Sequence, residues 1–273
     1  MRRLKKIVLF AALSVLAVWG ITLGYLHMIQ EGRIFAFTKT DADFRYDYPT
    51  PFEELTLKTK DSSVNALYFK GKNSTGVTYY LHGKGSNLSH SKWKKIVHEL
   101  ATTHHQDVLM IDYRGFGKST GPLTYDGLLS DASIGYEFLK ERYEENQITV
   151  YGLSLGTSFA TYIAKTYHPK QLVLEAPFYS LLDVAASTLP MVPVFMIDTI
   201  LKYPFPTNEW IQEVSCPIYI FHGTKDDIIP YESSLRLAEL APEPCDVTII
   251  QGGCHNKLNL TPEYKEKAQR IFK

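Results

Sequence analysis

Hydrophobic positions follow two different patterns along this chain of 273 residues. Near the start there is one long apolar run, whereas short β-branched apolar runs alternate with stretches of mixed polarity further on. Residues 53–59 and 63–70 predict a β-hairpin around a polar turn. Buried strands are then predicted near residues 77–81, 107–112, 147–151, 171–175, 217–221 and 246–250, with helices between them. Because strands that alternate with helices pair in parallel, the pattern predicts an α/β fold with a mostly parallel, doubly wound sheet.

The long apolar run covers residues 7–29 and contains no Asp, Glu, Lys or Arg. As a helix it would be about 34 Å long, which is enough to cross a hydrocarbon core of about 30 Å. We therefore predict a transmembrane signal-anchor helix over residues 7–29. A cleavable signal peptide is the alternative, since basic residues precede the run. That alternative fits less well because the run exceeds the usual h-region and Trp19 stands where cleavage would be needed.

The charges on either side of the run predict an orientation. Four basic residues lie within residues 1–6, whereas only Arg33 and Lys39 follow the run closely. Because positive charge favours the cytoplasmic side, residues 1–6 are predicted to be cytoplasmic and the rest extracytoplasmic, in a single-pass protein of the cell membrane. Residues 30–50 are predicted to be a linker. Residues 51–273 are long enough for one well-cored domain and too short for two.

Composition excludes several functions for this domain. Without residues 1–29 the chain has 25 Lys plus Arg against 29 Asp plus Glu, which argues against nucleic-acid binding. No ligand spacing typical of a metal site occurs, so we predict no metal and no cofactor, and no obligate protein partner is evident. Three cysteines exclude a complete disulfide framework. Cys216 and Cys245 are either two small buried hydrophobic residues or, because they precede neighbouring predicted strands, a disulfide pair.

Residues 152–156, Gly-Leu-Ser-Leu-Gly, join a predicted strand directly to a predicted helix. A serine on such a sharp turn projects its Oγ clear of the sheet, and the glycines give the turn space. The pentapeptide also occurs by chance, so its setting between strand and helix is what makes Ser154 the candidate nucleophile.

A serine nucleophile needs a histidine as base and an acid that orients this histidine. In this architecture the acid and then the histidine follow the serine, each on a loop after a strand. Asp226 follows the next-to-last predicted strand, and His255 follows the last one on a glycine-rich loop. We predict that they are the acid and the base. Asp227 and Glu175 are the alternative acids.

The negative charge that develops in such a reaction needs two backbone N–H donors. Leu155 directly follows Ser154 and presents its amide at the N-terminus of the next predicted helix. Residues 82–86, His-Gly-Lys-Gly-Ser, follow an early predicted strand. The amide of Lys84 is therefore the second predicted donor, and its side chain is not required.

With three further motifs these loops resemble the α/β-hydrolase superfamily. Within it the chain is most similar to the Bem46-type serine hydrolases, which include the membrane-associated ABHD13 and ABHD17 proteins. The motifs are Asp-Tyr-Arg-Gly-Phe-Gly-Lys-Ser at 112–119, Leu-Glu-Ala-Pro-Phe-Tyr-Ser at 174–180 and Ile-Gln-Glu-Val-Ser-Cys-Pro at 211–217. The resemblance runs from about residue 52 to the end, and Lys84 stands where that group usually has asparagine. Depalmitoylating members imply lipid or acylated-protein substrates, but they act on the cytoplasmic face, opposite to the orientation predicted above.

Between residues 177 and 210 the alternation of strands and helices breaks into an apolar segment punctuated by prolines. Hydrolases of this fold place a cap insertion at this point. The segment either lines an apolar pocket or dips into the membrane, or it is a helix packed on the core, and periodicity does not distinguish these cases.

Taken together, these features predict a membrane-anchored serine hydrolase of the esterase or thioesterase type. It would cleave a carboxylic ester or thioester of a small molecule or lipid through an acyl-enzyme. An aminopeptidase or amidase of the same fold, or a non-catalytic scaffold, are the alternatives. Because no predicted catalytic residue lies in residues 1–29, the domain is expected to be active without them.

Overall fold

A computed structural model describes residues 2–272 of the chain, and within these residues eight strands form one sheet. The strands are β1 (Phe52–Lys58), β2 (Ser63–Phe69), β3 (Gly76–Leu81), β4 (Gln106–Ile111), β5 (Ile148–Leu153), β6 (Gln171–Glu175), β7 (Ile218–Gly223) and β8 (Cys245–Ile250). The helices are α1 (Arg2–Phe35), α2 (Lys92–Thr102), α3 (Tyr125–Lys140), α4 (Leu155–Thr166), α5 (Leu181–Thr188), α6 (Val194–Ile200), α7 (Thr207–Trp210), α8 (Glu232–Leu240) and α9 (Pro262–Ile271).

The strand order across the sheet is β1-β2-β4-β3-β5-β6-β7-β8. β1 pairs with β2, and β2 with β4, in antiparallel orientation, whereas all pairs from β4 to β8 are parallel. The predicted α/β fold with a mostly parallel sheet is confirmed. Because β5, β7 and β8 run in the same direction, the loops that follow them meet at one edge of the sheet.

Successive side chains of the strands pack into two hydrophobic cores, one on each face of the sheet. On β3, Tyr79 belongs to one core and Tyr80 to the other. Helices α3 and α4 contribute residues such as Leu128 and Phe159 to the first core, whereas α2 and α9 contribute residues such as Trp93 to the second. A sheet covered on both faces is a rigid support for the loops at its edge.

Helix α1 contains the apolar run and extends beyond both of its ends over 34 residues. Its length and composition are sufficient to cross a membrane, and its most apolar window is not buried by the rest of the protein. Residues 30–35, predicted as the start of a linker, continue the helix. The physical reason is packing, because Phe35 is completely buried in the domain core. Residues 36–51 connect α1 to β1 without a helix or strand of their own.

The segment between β6 and β7 holds the three short helices α5, α6 and α7. Its side chains divide into two groups. Ile197 is only 2% exposed, whereas Met191 and Phe195 near the tip are 86% and 69% exposed. The segment therefore both packs on the domain and presents apolar side chains outward.

The three cysteines are free, so the disulfide that the sequence left open between Cys216 and Cys245 does not form. Burial raises the pKa of the Cys216 thiol to about 12. Cys216 is therefore a protonated, small hydrophobic residue, which is the other interpretation drawn from the sequence.

The loop after β4 is held by a fully buried guanidinium. The side chain of Arg114 donates to both carboxylate oxygens of Asp131 at 2.9 Å and to Asp61 at 3.0 and 3.2 Å. Asp131 lies on α3 and is also completely buried. These contacts join the loop after β4 to α3.

Because removal of Arg114 leaves the Asp131 carboxylate buried without its counter-charge, Arg114→Met should lower the free energy of unfolding by about 3–5 kcal/mol. Chemical denaturation of the detergent-solubilised full chain measures this change. Arg45→Met, at an exposed position, is the matched control and should change stability by less than about 0.5 kcal/mol. Equal stability of the two variants would show that the buried ion pairs contribute little.

Candidate active site

Ser154 lies at the turn from β5 into α4 with a backbone φ of 52° and ψ of −119°. A positive φ is strained for a residue with a side chain, and such strain is typical of functional turns. Gly156 allows the turn because a Cβ there would lie 2.0 Å from the carbonyl oxygen of Leu81 at the end of β3. The turn thus presents Ser154 at the edge of the sheet, where it is 8% exposed.

Two hydrogen bonds connect the side chains of Ser154, His255 and Asp226. The distance from Ser154 Oγ to His255 Nε2 is 3.0 Å, and that from His255 Nδ1 to Asp226 Oδ2 is 2.7 Å. The loops after β7 and β8 are tied together, since the Lys225 amide donates to the Gly253 carbonyl at 2.8 Å. A Cβ on Gly223 would lie 2.2 Å from that same carbonyl oxygen, so only glycine permits the approach.

The Asp226 carboxylate is fixed by further donors. Its Oδ1 accepts from the amides of Ile228 and Ile229 at 2.9 Å, and its Oδ2 lies 3.1 Å from His222 Nε2. Burial alone would raise the pKa of Asp226, but hydrogen bonds from His222 and His255 outweigh it and hold this pKa well below its usual range. An ionised Asp226 assigns the Nδ1 proton to His255, which leaves His255 Nε2 free to accept from Ser154.

The sequence interpretation gave His222 no role. Its Nε2 also lies 3.0 Å from the Ile229 carbonyl, which only accepts, so Nε2 carries the proton. The Ser234 hydroxyl then donates to His222 Nδ1 at 2.6 Å. The available signal was a histidine near the end of a buried strand, four residues before the candidate acid.

The two alternative acids lie elsewhere. Asp227 is exposed. Glu175 is buried, and its carboxylate accepts from the Tyr151 hydroxyl at 2.5 Å, while its backbone carbonyl accepts from the Ser154 amide at 2.9 Å. Burial raises the pKa of Glu175 to about 7. The structure thus brings Asp226, and neither alternative, into contact with His255.

The two predicted oxyanion donors flank Ser154. Leu155 is the first residue of α4, and Lys84 lines the same cavity as Ser154 and Leu155. Gly83 packs on the serine, because a Cβ there would lie 3.2 Å from Ser154 Cβ. The fully buried His82 donates through Nδ1 to the Gly83 carbonyl at 2.8 Å, and its Nε2 lies 3.3 Å from Asp112 Oδ1. His82 therefore fixes this loop and does not reach Ser154.

A cavity of about 450 Å³ opens above Ser154. Its walls come mainly from apolar side chains of α1, α5 and α6, and from Ile228 and Ile229 beside the acid. Among the described residues that line it, Arg33 and Lys84 are charged and none is acidic. The arrangement is an apolar pocket with two cations near a potential nucleophile.

Residues 72–209, half of the chain, match the family described as "Serine aminopeptidase, S33". The chain belongs to this family. It has the α/β-hydrolase fold, as the motifs above indicated.

Two curated relatives show the extent of the similarity. Human ABHD12B is 35% identical over 181 residues, which are 60% of this chain and 49% of that protein. The lysophosphatidylserine lipase ABHD12 of Danio rerio is 29% identical over 187 residues, which are 63% of this chain and 49% of the relative. The chain thus spans about half the length of these curated relatives.

The fold is also found in solved structures. The Pyrococcus furiosus esterase Pf2001 superposes on this chain with a TM-score of 0.67 at 18% sequence identity. The superposition covers 86% of this chain and 97% of the esterase chain. At this identity the likeness shows the α/β-hydrolase fold and leaves the substrate open.

The contacts of His255 predict how the three candidate acids differ. Asp226→Asn should lower kcat by about 10⁴-fold, because an amide favours the wrong histidine tautomer. Glu175→Gln and Asp227→Asn are equally conservative controls and should cost far less. The test is kcat for an activated ester, and a greater loss in Glu175→Gln would transfer the role of acid to Glu175.

Proposed function

We propose that this chain is a membrane-anchored serine hydrolase that cleaves a carboxylic ester or thioester through an acyl-enzyme. The observation that supports this most strongly is the continuous hydrogen-bonded series from Ser154 to His255 to Asp226 at the base of an apolar cavity. A buried series of this geometry is what activation of a serine requires.

In the proposed reaction His255 Nε2 takes the hydroxyl proton of Ser154 as Oγ attacks the carbonyl carbon. The amides of Lys84 and Leu155 stabilise the oxyanion. When the intermediate collapses, the leaving alcohol or thiol takes the proton from His255, and the acyl group stays on Ser154. Water then attacks the carbonyl carbon of the acyl-Ser154 ester, and His255 accepts a proton from this water. When the second intermediate collapses, His255 returns the proton to Ser154 Oγ and the free acid leaves.

The cavity favours an acyl substrate over a peptide. An aminopeptidase binds a free N-terminal ammonium and needs an acidic subsite, whereas the described lining residues include no Asp or Glu. Apolar walls suit a hydrocarbon chain, and Arg33 and Lys84 suit an anionic head group. The lysophosphatidylserine lipase named among the relatives acts on a lipid, which agrees with this proposal. An amidase of the same fold and a non-catalytic scaffold are the remaining alternatives.

We also propose that residues 7–29 of α1 span the cell membrane. Residues 1–6 would then be cytoplasmic, and residues 51–273 would form the extracytoplasmic hydrolase domain. The length and hydropathy of α1 and the four basic residues ahead of its apolar run support this arrangement.

If Ser154 is the nucleophile, Ser154→Ala should lower kcat for an activated ester by about 10⁴- to 10⁶-fold. It should also abolish labelling by a fluorophosphonate probe. Ser130→Ala, at an exposed position on α3, is the matched control and should keep both activities. Persistent labelling of Ser154→Ala would reject this nucleophile, and a parent protein that is neither labelled nor active would favour the scaffold.

If α1 spans the membrane, the full-length protein should remain in the membrane fraction through alkaline carbonate washing. Protease added outside intact cells or spheroplasts should reach the hydrolase domain, while a cytoplasmic marker stays protected. A mature N-terminus near residues 20–30 would instead show cleavage of a signal peptide. Protection of the domain from external protease would reverse the proposed orientation.

A further inference from the structure

The last turns of α1 are bound to the cap segment by polar contacts. His27 Nδ1 and Gln30 Nε2 each lie 3.0 Å from the carbonyl oxygen of Ile200 at the end of α6. The Lys202 amide donates to Gln30 Oε1 at 2.9 Å, and Glu31 forms an ion pair of 3.1 Å with the Lys202 ammonium. These contacts fix both the position and the rotation of the helix on the domain.

The end of α1 also contacts the loop that carries the Lys84 amide. The carbonyl oxygen of Phe35 accepts from the Gly85 amide at 2.9 Å, and the Phe35 ring packs edge-on against Tyr203 with centroids 4.9 Å apart. Helix α1 is therefore joined to the predicted oxyanion loop and to the part of the cap segment between α6 and α7.

With this docking, α1 supplies one wall of the cavity above Ser154. Leu26 and Ile29, both half-buried, line the cavity together with α5 and α6 residues such as Val184 and Ile197. Both lie within about 5 Å of the end of the predicted span along the helix axis. The cavity therefore adjoins the point where α1 would leave the bilayer, beside the exposed apolar tip of the cap.

We propose that this end of α1 is part of the acyl-binding site, with Leu26 and Ile29 setting the length of the acyl chain that the enzyme accepts. The acyl chain of a long-chain ester then lies along this wall of the cavity while its ester carbonyl reaches Ser154. This inference rests on the proposed function. It also changes the expectation that residues 1–29 are dispensable, which then holds only for acyl groups too short to reach this wall.

Substitutions on α1 test the wall in the full-length protein in detergent. The quantity measured is the ratio of kcat/KM for p-nitrophenyl esters with twelve-carbon and four-carbon acyl chains. Ile29→Trp fills the cavity and should lower this ratio about tenfold or more. Ile29→Ala introduces no bulky side chain that could disturb folding, and it enlarges the cavity. It should therefore shift the preference towards longer acyl chains. Met28→Trp is the matched control, because Met28 is 78% exposed and does not line the cavity; its ratio should stay within about twofold of the parent.

The outcomes separate this inference from the proposed function. Unchanged ratios in both Ile29 variants, with hydrolysis that still depends on Ser154, would overturn the role of α1 and leave the proposed function standing. A parent enzyme that hydrolyses neither ester and resists the fluorophosphonate probe would overturn both.

A covalent probe tests the contact directly. A long-chain alkyl fluorophosphonate with a diazirine near its end should attach to Ser154 and, on illumination, crosslink to peptides that contain residues 25–34. Crosslinks that avoid α1 altogether would contradict its placement in the acyl site.

Discussion

The arrangement of the site depends on the hydrogen bonds that the buried carboxylate of Asp226 accepts. It accepts hydrogen bonds from two backbone amides of its own loop and from the rings of His222 and His255. A buried charge is tolerated only when such donors satisfy it. Because the donors come from the end of β7 and from the loops after β7 and β8, keeping Asp226 ionised requires both loops to be in place. The same constraint orients His255 towards Ser154.

A second constraint connects this site to the N-terminal helix. The predicted oxyanion loop bonds to the end of α1 through Gly85 and Phe35, and the cap bonds to it through Ile200 and Lys202. Two sides of the cavity are thus held by a helix that is long and apolar enough to span a bilayer. In the proposed enzyme, anchoring and acyl binding are properties of one element, so the distance from the nucleophile to the membrane surface is fixed by the fold.

The sequence was sufficient to predict an element or a site residue where a local pattern has one physical explanation. β-Branched runs between helices defined the strands, and a serine between a strand and a helix defined the turn at residue 154. The relative positions of Asp226 and His255 followed from the order of the strands. Asp226 was predicted as the acid ahead of Asp227 and Glu175, and the packing agrees with this choice, since the Glu175 carboxylate accepts from Tyr151.

The sequence was insufficient to predict the surroundings of an apolar side chain that can pack equally well against lipid or protein. The pattern did not show that α1 continues to Phe35 or that Leu26 and Ile29 face the cap, because an apolar helix looks the same towards lipid and towards protein. The sequence of the cap also did not distinguish a helix packed on the core from an outward-facing apolar segment. The structure shows both: Ile197 packs inward, whereas Met191 and Phe195 are exposed. His222 was given no role because spacing alone did not show that its ring would contact the Asp226 carboxylate.

The proposed mechanism depends on transfer of an acyl group to Ser154, and this intermediate can be trapped. The full-length enzyme would be quenched in acid during turnover of a slowly hydrolysed ester and analysed by intact-mass and peptide-mapping mass spectrometry. We expect a mass increase equal to one acyl group, located on the peptide that contains Ser154. Continued hydrolysis without any acylated protein, or an acyl group on a different residue, would contradict the proposed mechanism.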